Sequence, residues 1–291
     1  HALSQEKQPE KYKISALKIK NNDLKLDGLL DEKVWQQAES ITQLTQRTPY
    51  FGESATEDTL VKVLYDEDNL YVGAVCYHKN IEDLVASKLA HRDVSWDDLF
   101  AFVLDTFHDQ TKGYCFEVNA LGAKEDFFID GPEQWEINWN EVWQVKTKIN
   151  DNNWSAEFKI PLRILRFPDQ DSQTWGFNIC RLLRKKNESS YWAPIPPQFT
   201  VSNLSLAGDL TDLRGLRTKR NLQVRPYSLL GITKEKDRDV STRKSDFAQI
   251  ESDDVQINLT RFSLYYPEKR DFFLENAKLF DFGLTKRIQP F

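Results

Sequence analysis

Four tryptophans stand among polar neighbours in segments without a strand period: Trp96 in Ser95-Trp96-Asp97-Asp98, Trp135 in Glu133-Gln134-Trp135-Glu136, Trp139 in Asn138-Trp139-Asn140, and Trp192 in Tyr191-Trp192-Ala193-Pro194. Flat rings beside amides and carboxylates suit a sugar. A pyranose can lay its apolar C–H face on an indole, and its hydroxyl rim must then be hydrogen-bonded because that face is desolvated. Arg92, Asp97 and Asp98, close in sequence to the first of these rings, are the candidate polar partners. The alternative for all four rings is to cover the ends of a hydrophobic core. Trp143, Trp154 and Trp175 fall in apolar, alternating stretches and are expected to pack inside.

Other chemistries find less material. Asp97, Asp98, Glu117, Asp126, Glu141 and Glu157 lie on or beside expected strands, and two of them at the right separation would make a glycosidase pair; any acidic β-protein shows as many. The oxygen-rich turn of Asp66, Asp68 and Asn69 is a candidate Ca²⁺ site, with a plain hairpin turn as the alternative. There is no GxSxG elbow and no HExxH pairing, and beyond His1 only His78, His91 and His108 could act as bases. The 11 glycines form no phosphate-cradling loop. Cys76, Cys115 and Cys180 have no metal-site spacing and read as buried small hydrophobes, with one disulfide as the alternative in an oxidising compartment. With 39 basic and 45 acidic residues the net charge is −6, which argues against a nucleic-acid partner. No stretch approaches the roughly 18 apolar residues of a membrane-spanning helix.

The elements that must position these residues are mostly strands. Hydrophobic residues make up 40% of the 291 positions and aromatic residues 12%, enough to bury a large core. Residues 1–13 are polar and aperiodic, an expected tether whose His1-Ala2 start resembles a tag scar. The absence of any Met reads as omission of those positions. After the turn signal Asp27-Gly28, Asp31 is the expected N-cap of a short helix whose face carries Val34, Trp35 and Ala38. Period-two patterns then predict a hairpin over 60–65 and 70–77, and strands over 98–105, 114–119, 142–149, 154–160 and 174–183. The fold class expected is all-β, an antiparallel, jelly-roll-like β-sandwich (14–216) with one N-terminal helix. A boundary near Arg217 leads to a truncated, β-rich second domain (217–291), with a polar loop at 233–244 and a strand at 255–266.

Taken in order, several of these stretches resemble one family. Leu26-Asp27-Gly28-Leu29-Leu30-Asp31-Glu32 with Trp35, Val63-Leu64-Tyr65-Asp66 with Asn69-Leu70-Tyr71-Val72-Gly73, Arg92-Asp93 with Asp97-Asp98, and Leu104-Asp105-Thr106-Phe107 come first. Phe116-Glu117-Val118-Asn119, Trp154-Ser155-Ala156-Glu157 with Ile160-Pro161, Leu165-Arg166-Phe167, Trp175-Gly176 and Tyr191-Trp192-Ala193-Pro194 follow. The series is similar to the carbohydrate-binding module family 9-like domain, in the version found at the N-terminus of outer-membrane-associated proteins of Gram-negative bacteria. The tail, with Asp246-Phe247-Ala248-Gln249-Ile250-Glu251 and Pro267-Glu268-Lys269-Arg270-Asp271-Phe272-Phe273, resembles the start of the barrel-type domain that follows it there.

The resemblance implies a β-sandwich, export to the periplasm or outer membrane after removal of a signal peptide, and glycan binding by a pair of tryptophans. The first functional expectation is therefore a non-catalytic glycan-binding module of a cell-envelope protein, acting through Trp96, Trp135, Trp139 and Trp192. A second is a structural domain docking on an outer-membrane barrel or on its own C-terminal continuation. A third is a hydrolase of O-glycosyl bonds using paired carboxylates.

Overall fold

The computed structural model describes residues 12–20, 23–87, 97–132, 134–137 and 139–218. The chain divides into two units, His1–Gln223 and Val224–Phe291, and every described residue belongs to the first. The expected tether up to residue 11, the loop at 233–244, the strand at 255–266 and the C-terminal β extension lie outside the described residues.

Two sheets form a sandwich. The first runs in the order β1 (Lys13–Ser15), β14 (Gly208–Arg214), β12 (Ser172–Leu183), β6 (Leu99–Asp105), β7 (Lys112–Asn119), β8 (Lys124–Asp130) and β9 (Trp135–Glu136). Beyond β14, the long β12 also pairs with β13 (Glu188–Tyr191), which in turn carries β3 (Thr45–Thr48). The second sheet is β10 (Gln144–Ile149), β11 (Asn153–Pro161), β5 (Asn69–Tyr77), β4 (Thr59–Tyr65) and β2 (Leu17–Lys18). Pairing is antiparallel except at the N-terminus, where β1 lies parallel to β14 and β2 parallel to β4. These short strands are one segment that passes from sheet to sheet, with Ala16 N–H donating to Thr211 O and Ile19 N–H to Tyr65 O. The sheets are thus mixed rather than wholly antiparallel.

Alternation explains which residues meet between the sheets. In β6, Phe100, Phe102 and Leu104 enter the main core while Leu99, Ala101 and Val103 join a second cluster on the opposite face, so the whole strand is buried. Phe102 stacks on Phe116 at 5.4 Å and meets Phe158 edge-on at 5.1 Å, and Trp143 stacks on Phe158 at 5.8 Å. Trp143, Trp154 and Trp175 are all buried in this core, as their sequence context predicts. The three cysteines are buried free thiols, so the disulfide alternative falls.

The outer face of the second sheet is closed by residues 24–38, which include α1 (Lys33–Gln37). Glu32, not Asp31, occupies the N-cap, and it makes no side-chain cap bond. The helix is too short to hold itself and is pinned from the sheet instead. Glu157 on β11 accepts from Asp27 N–H (2.9 Å), Gly28 N–H (2.7 Å) and the Trp35 indole N–H (3.0 Å), while Lys62 Nζ donates to Trp35 O (2.6 Å) and Ala38 O (3.1 Å). The Trp35 ring packs closely on β5 because residue 73 is glycine: a Cβ there would meet two ring carbons at 2.8 Å and 2.9 Å and Leu30 Cδ2 at 2.7 Å. Gly73→Ala is therefore expected to lower stability by about 2 kcal/mol, the usual cost of overpacking a well-filled site, and a urea melt measures it.

Candidate functional site

On the face of the first sheet turned away from the main core, register aligns Thr45, Tyr191, Cys180, Ala101, Glu117 and Glu125 in one row across β3, β13, β12, β6, β7 and β8. The next row holds Asn178, Val103, Cys115 and Phe127. The middle of this face carries small side chains, Cys180, Ala101 and Cys115, flanked by larger ones. Part of it is covered by the segment that follows β13, through Ile195, Val201 and Leu204. Leu204 fits there because residue 113 is glycine; a Cβ would meet its Cδ1 at 2.9 Å. Arg47 holds the same segment from β3, Nε donating to Phe199 O (2.9 Å) and Nη2 to Pro197 O (2.8 Å).

Glu117, half-buried, stands in the first row between Ala101 and Glu125. Burial pushes its carboxyl up to about 7, the neighbouring Glu125 charge adds to the rise, and the Arg184 guanidinium opposes it. The Cys115 thiol reaches Glu117 Oε1 at 3.7 Å. Beyond Glu125 on the same face, Phe127 and Trp135 meet edge-to-face at 5.7 Å and remain half-buried. The arrangement offers carboxylate acceptors beside an aromatic wall, the two kinds of surface that hydroxyl groups and apolar ring faces require.

The sequence candidates scatter. Trp135 lies on this face, whereas Trp96 and Arg92 lie outside the described residues. Trp139 turns to the main core, where it packs on Tyr114 (5.1 Å) and Phe116 (5.9 Å). Trp192 is a correction: at 7% exposure it belongs to the main core, 6.0 Å from Phe177 and edge-on to Tyr12 at 5.7 Å. Pairing of Tyr191 with Cys180 turns Tyr191 outward, and alternation then drives residue 192 inward.

Asp97 and Asp98 are also corrections, for both are buried structural carboxylates. Asp97 accepts from Ser87 N–H (3.0 Å), Ser87 Oγ (2.8 Å) and Asn119 Nδ2 (2.8 Å). Asp98 accepts from Arg184 N–H (2.6 Å) and stands 3.8 Å from His78 Nε2, and burial raises its pKa. Among the carboxylates considered for a catalytic pair, Glu157 pins residues 27, 28 and 35, and Asp126 accepts from Glu141 N–H (2.8 Å). The Ca²⁺ turn is closed by its own hydrogen bonds. Asp66 Oδ1 accepts from the N–H groups of Asp68 (2.8 Å) and Asn69 (2.7 Å), and Oδ2 from the Tyr71 hydroxyl (2.8 Å), so its oxygens are engaged without a cation. Among the described residues no group of three or more His, Cys, Asp or Glu side chains is placed to hold a metal.

Sequence reasoning missed Glu125, Phe127, Arg184 and Arg47. The signal available for the first two was the alternation Glu125, Phe127, Ile129 directly after the Gly122 turn, which the intervening Asp126-Phe128 conceals.

The sequence model for the carbohydrate family 9 binding domain-like family matches residues 26–190, and that for a domain of unknown function, DUF5916, matches residues 242–286. No curated protein matches the chain. Similar solved structures include a family 9 carbohydrate binding module from Caldicellulosiruptor kristjanssonii in complex with cellotriose, 16% identical over 75% of this chain and 100% of that one, with a TM-score of 0.50. The same module in complex with glucose covers 74% of this chain at the same identity and TM-score, 16% and 0.50. A candidate carbohydrate-binding protein from Bacteroides uniformis is 13% identical over 69% of this chain and 99% of that one, with a TM-score of 0.55. These likenesses concern the sandwich described above, and with its sequence matched over more than half of its length, the chain belongs to the carbohydrate family 9 binding domain-like family.

Proposed function

We propose that the chain is a non-catalytic saccharide-binding module whose site is the outer face of the first sheet around Glu117, Phe127 and Trp135. The observation that carries this reading is Glu117, a half-buried carboxylate on that face, its pKa raised to about 7, with Glu125 beside it and the Phe127–Trp135 pair beyond. Family membership supports it, as do the similar modules solved with cellotriose and glucose. Carboxylates and Arg184 would take sugar hydroxyls by charge-assisted hydrogen bonds, and the rings would cover an apolar C–H face. The envelope location implied by the tail belongs to the same proposal, and fractionation of cells producing the natural protein tests it.

The binding test is isothermal titration of the purified chain with glucose and with cellotriose, followed by affinity electrophoresis on plant, algal and host polysaccharides, with and without calcium. Trp135→Ala is expected to weaken the binding found there about tenfold, in line with removal of one ring contact from a sugar face, while the melting temperature falls by only a few degrees. A clean blank on all panels rejects the reading. Equal binding by wild type and Trp135→Ala removes Trp135 from the site.

A further inference from the structure

At the edge of the second sheet, six-residue β10 is the longest strand left with a single neighbour among the described residues. Its hairpin with β11 closes with Asn150 N–H donating to Asn153 O at 2.8 Å. Antiparallel alternation from that pair turns the backbone groups of Lys148, Lys146 and Gln144 towards β11 and leaves those of Ile149, Thr147 and Val145 facing outward. The edge lies in a slot. On one side residues 26–28 cross the sheet, with Gly28 so close that a Cβ would stand 3.1 Å from Thr147 O; on the other, the β7–β8 turn approaches at Gly122, 3.3 Å from Thr147 Oγ1 by the same measure. Leu26, Gly122, Lys124, Trp143, Gln144, Val145 and Lys146 line an open volume of about 470 Å³ there.

The slot is rich in donors and in positive charge. Lys146 and Lys148 are exposed on one face of β10, and Lys124 Nζ lies 4.4 Å over the Trp143 ring. The buried Trp143 indole N–H reaches no acceptor. The carboxylates nearby are engaged within the chain: Asp27 by Lys25 at 3.2 Å, Glu157, opposite Lys146, by the N–H groups of residues 27, 28 and 35, and Asp126, whose charge acts on Lys124, by Glu141 N–H. We propose that the β10 edge docks an extended acidic segment of a partner protein as an added strand. The outward N–H and C=O groups of Val145, Thr147 and Ile149 would pair with its main chain, and Lys124, Lys146 and Lys148 would meet its carboxylates. A second copy of this chain is a poorer occupant, since pairing β10 with β10 would set lysines against lysines. The inference does not depend on the saccharide site.

The test is fluorescence anisotropy of the full chain with a labelled peptide of alternating Glu and Val, and with its Lys–Val counterpart. The acidic peptide alone is expected to bind, more weakly as salt rises. Lys146→Glu with Lys148→Glu, both at exposed positions, is expected to weaken it at least tenfold and to favour the Lys–Val peptide. Thr147→Pro, which removes an outward N–H without touching the β11 ladder, is expected to abolish binding. Equal binding of both peptides, indifference to the charge reversal, a β10-dependent dimer in sedimentation, or displacement of the peptide by polygalacturonate would each overturn the proposal.

Discussion

Replacing Glu117 by Gln is expected to stabilise the protein at about pH 8 while weakening saccharide binding at least tenfold. The two effects share one cause. Folding raises the Glu117 carboxyl from its ordinary 4.5 to about 7, through burial first and the Glu125 charge second. Below about pH 4.5 the group is protonated in both folded and unfolded chains and the shift has no effect. As pH rises towards 7 the unfolded chain releases this proton first, so stability falls across that window and the penalty stays in full above it. Discounted for the open side of the site, the penalty is about 1–2 kcal/mol, and Gln cannot incur it. A half-buried carboxylate that costs stability beside an aromatic pair is the pattern expected of a binding residue. Its loss removes a charge-assisted hydrogen bond of about 1.5–3 kcal/mol, a factor of ten or more in affinity. Thermal melts of wild type and Glu117→Gln at about pH 5 and 8, with titration of cellotriose at each, measure both arms. A variant that is less stable at the higher pH, or binds cellotriose as wild type does, contradicts the assignment.

Most of the sandwich was legible because its central strands alternate strongly. The hairpin of β4 and β5 and the strands β6, β7, β10, β11 and β12 appear within a few residues of where period two places them. β8 was hidden by Lys124-Glu125-Asp126 and the doublet Phe127-Phe128, in which both faces of the strand are apolar. β13 was hidden by Ser189-Ser190, a polar pair buried against β12 and β3. β1 and β2 are too short to carry a period and owe their state to the sheets they bridge. The site was harder still. Whether Trp192 faces core or solvent depends on the pairing of Tyr191 with Cys180, and the meeting of Glu117 with Glu125 on the register of a hairpin; neither is a local property. Asp97 and Asp98 look like site residues because they follow Trp96, but the acceptors needed to tie Ser87, Asn119 and Arg184 together are the same carboxylates.

The largest stability loss is expected at Arg181, on β12 and 2% exposed. Its side chain crosses between the sheets, Nη1 donating to Asp58 O (2.6 Å) and Thr59 Oγ1 (2.9 Å) and Nη2 to Tyr77 O. These acceptors belong to the start of β4, the residue before it and the end of β5, so one guanidinium ties the ends of two strands to β12. Arg181→Ala removes every one of these guanidinium bonds and opens a cavity the length of the side chain, and a loss of about 4 kcal/mol is expected in a urea melt. Arg181→Lys should recover only part of it, because a single ammonium cannot fork to two strands. The same charge acts on His78, whose pKa is lowered to about 4 by burial first and Arg181 next. A depressed histidine favours the folded chain above its unfolded value of about 6.5, and that contribution is lost as pH falls from there towards 4. Without the Arg181 charge the His78 imidazole should titrate closer to 6.5, and NMR titration of its ring proton in Arg181→Gln, which removes the charge that Arg181→Lys keeps, checks this independently of the melt. An unchanged His78 titration beside a large stability loss would separate the packing role of Arg181 from its electrostatic one.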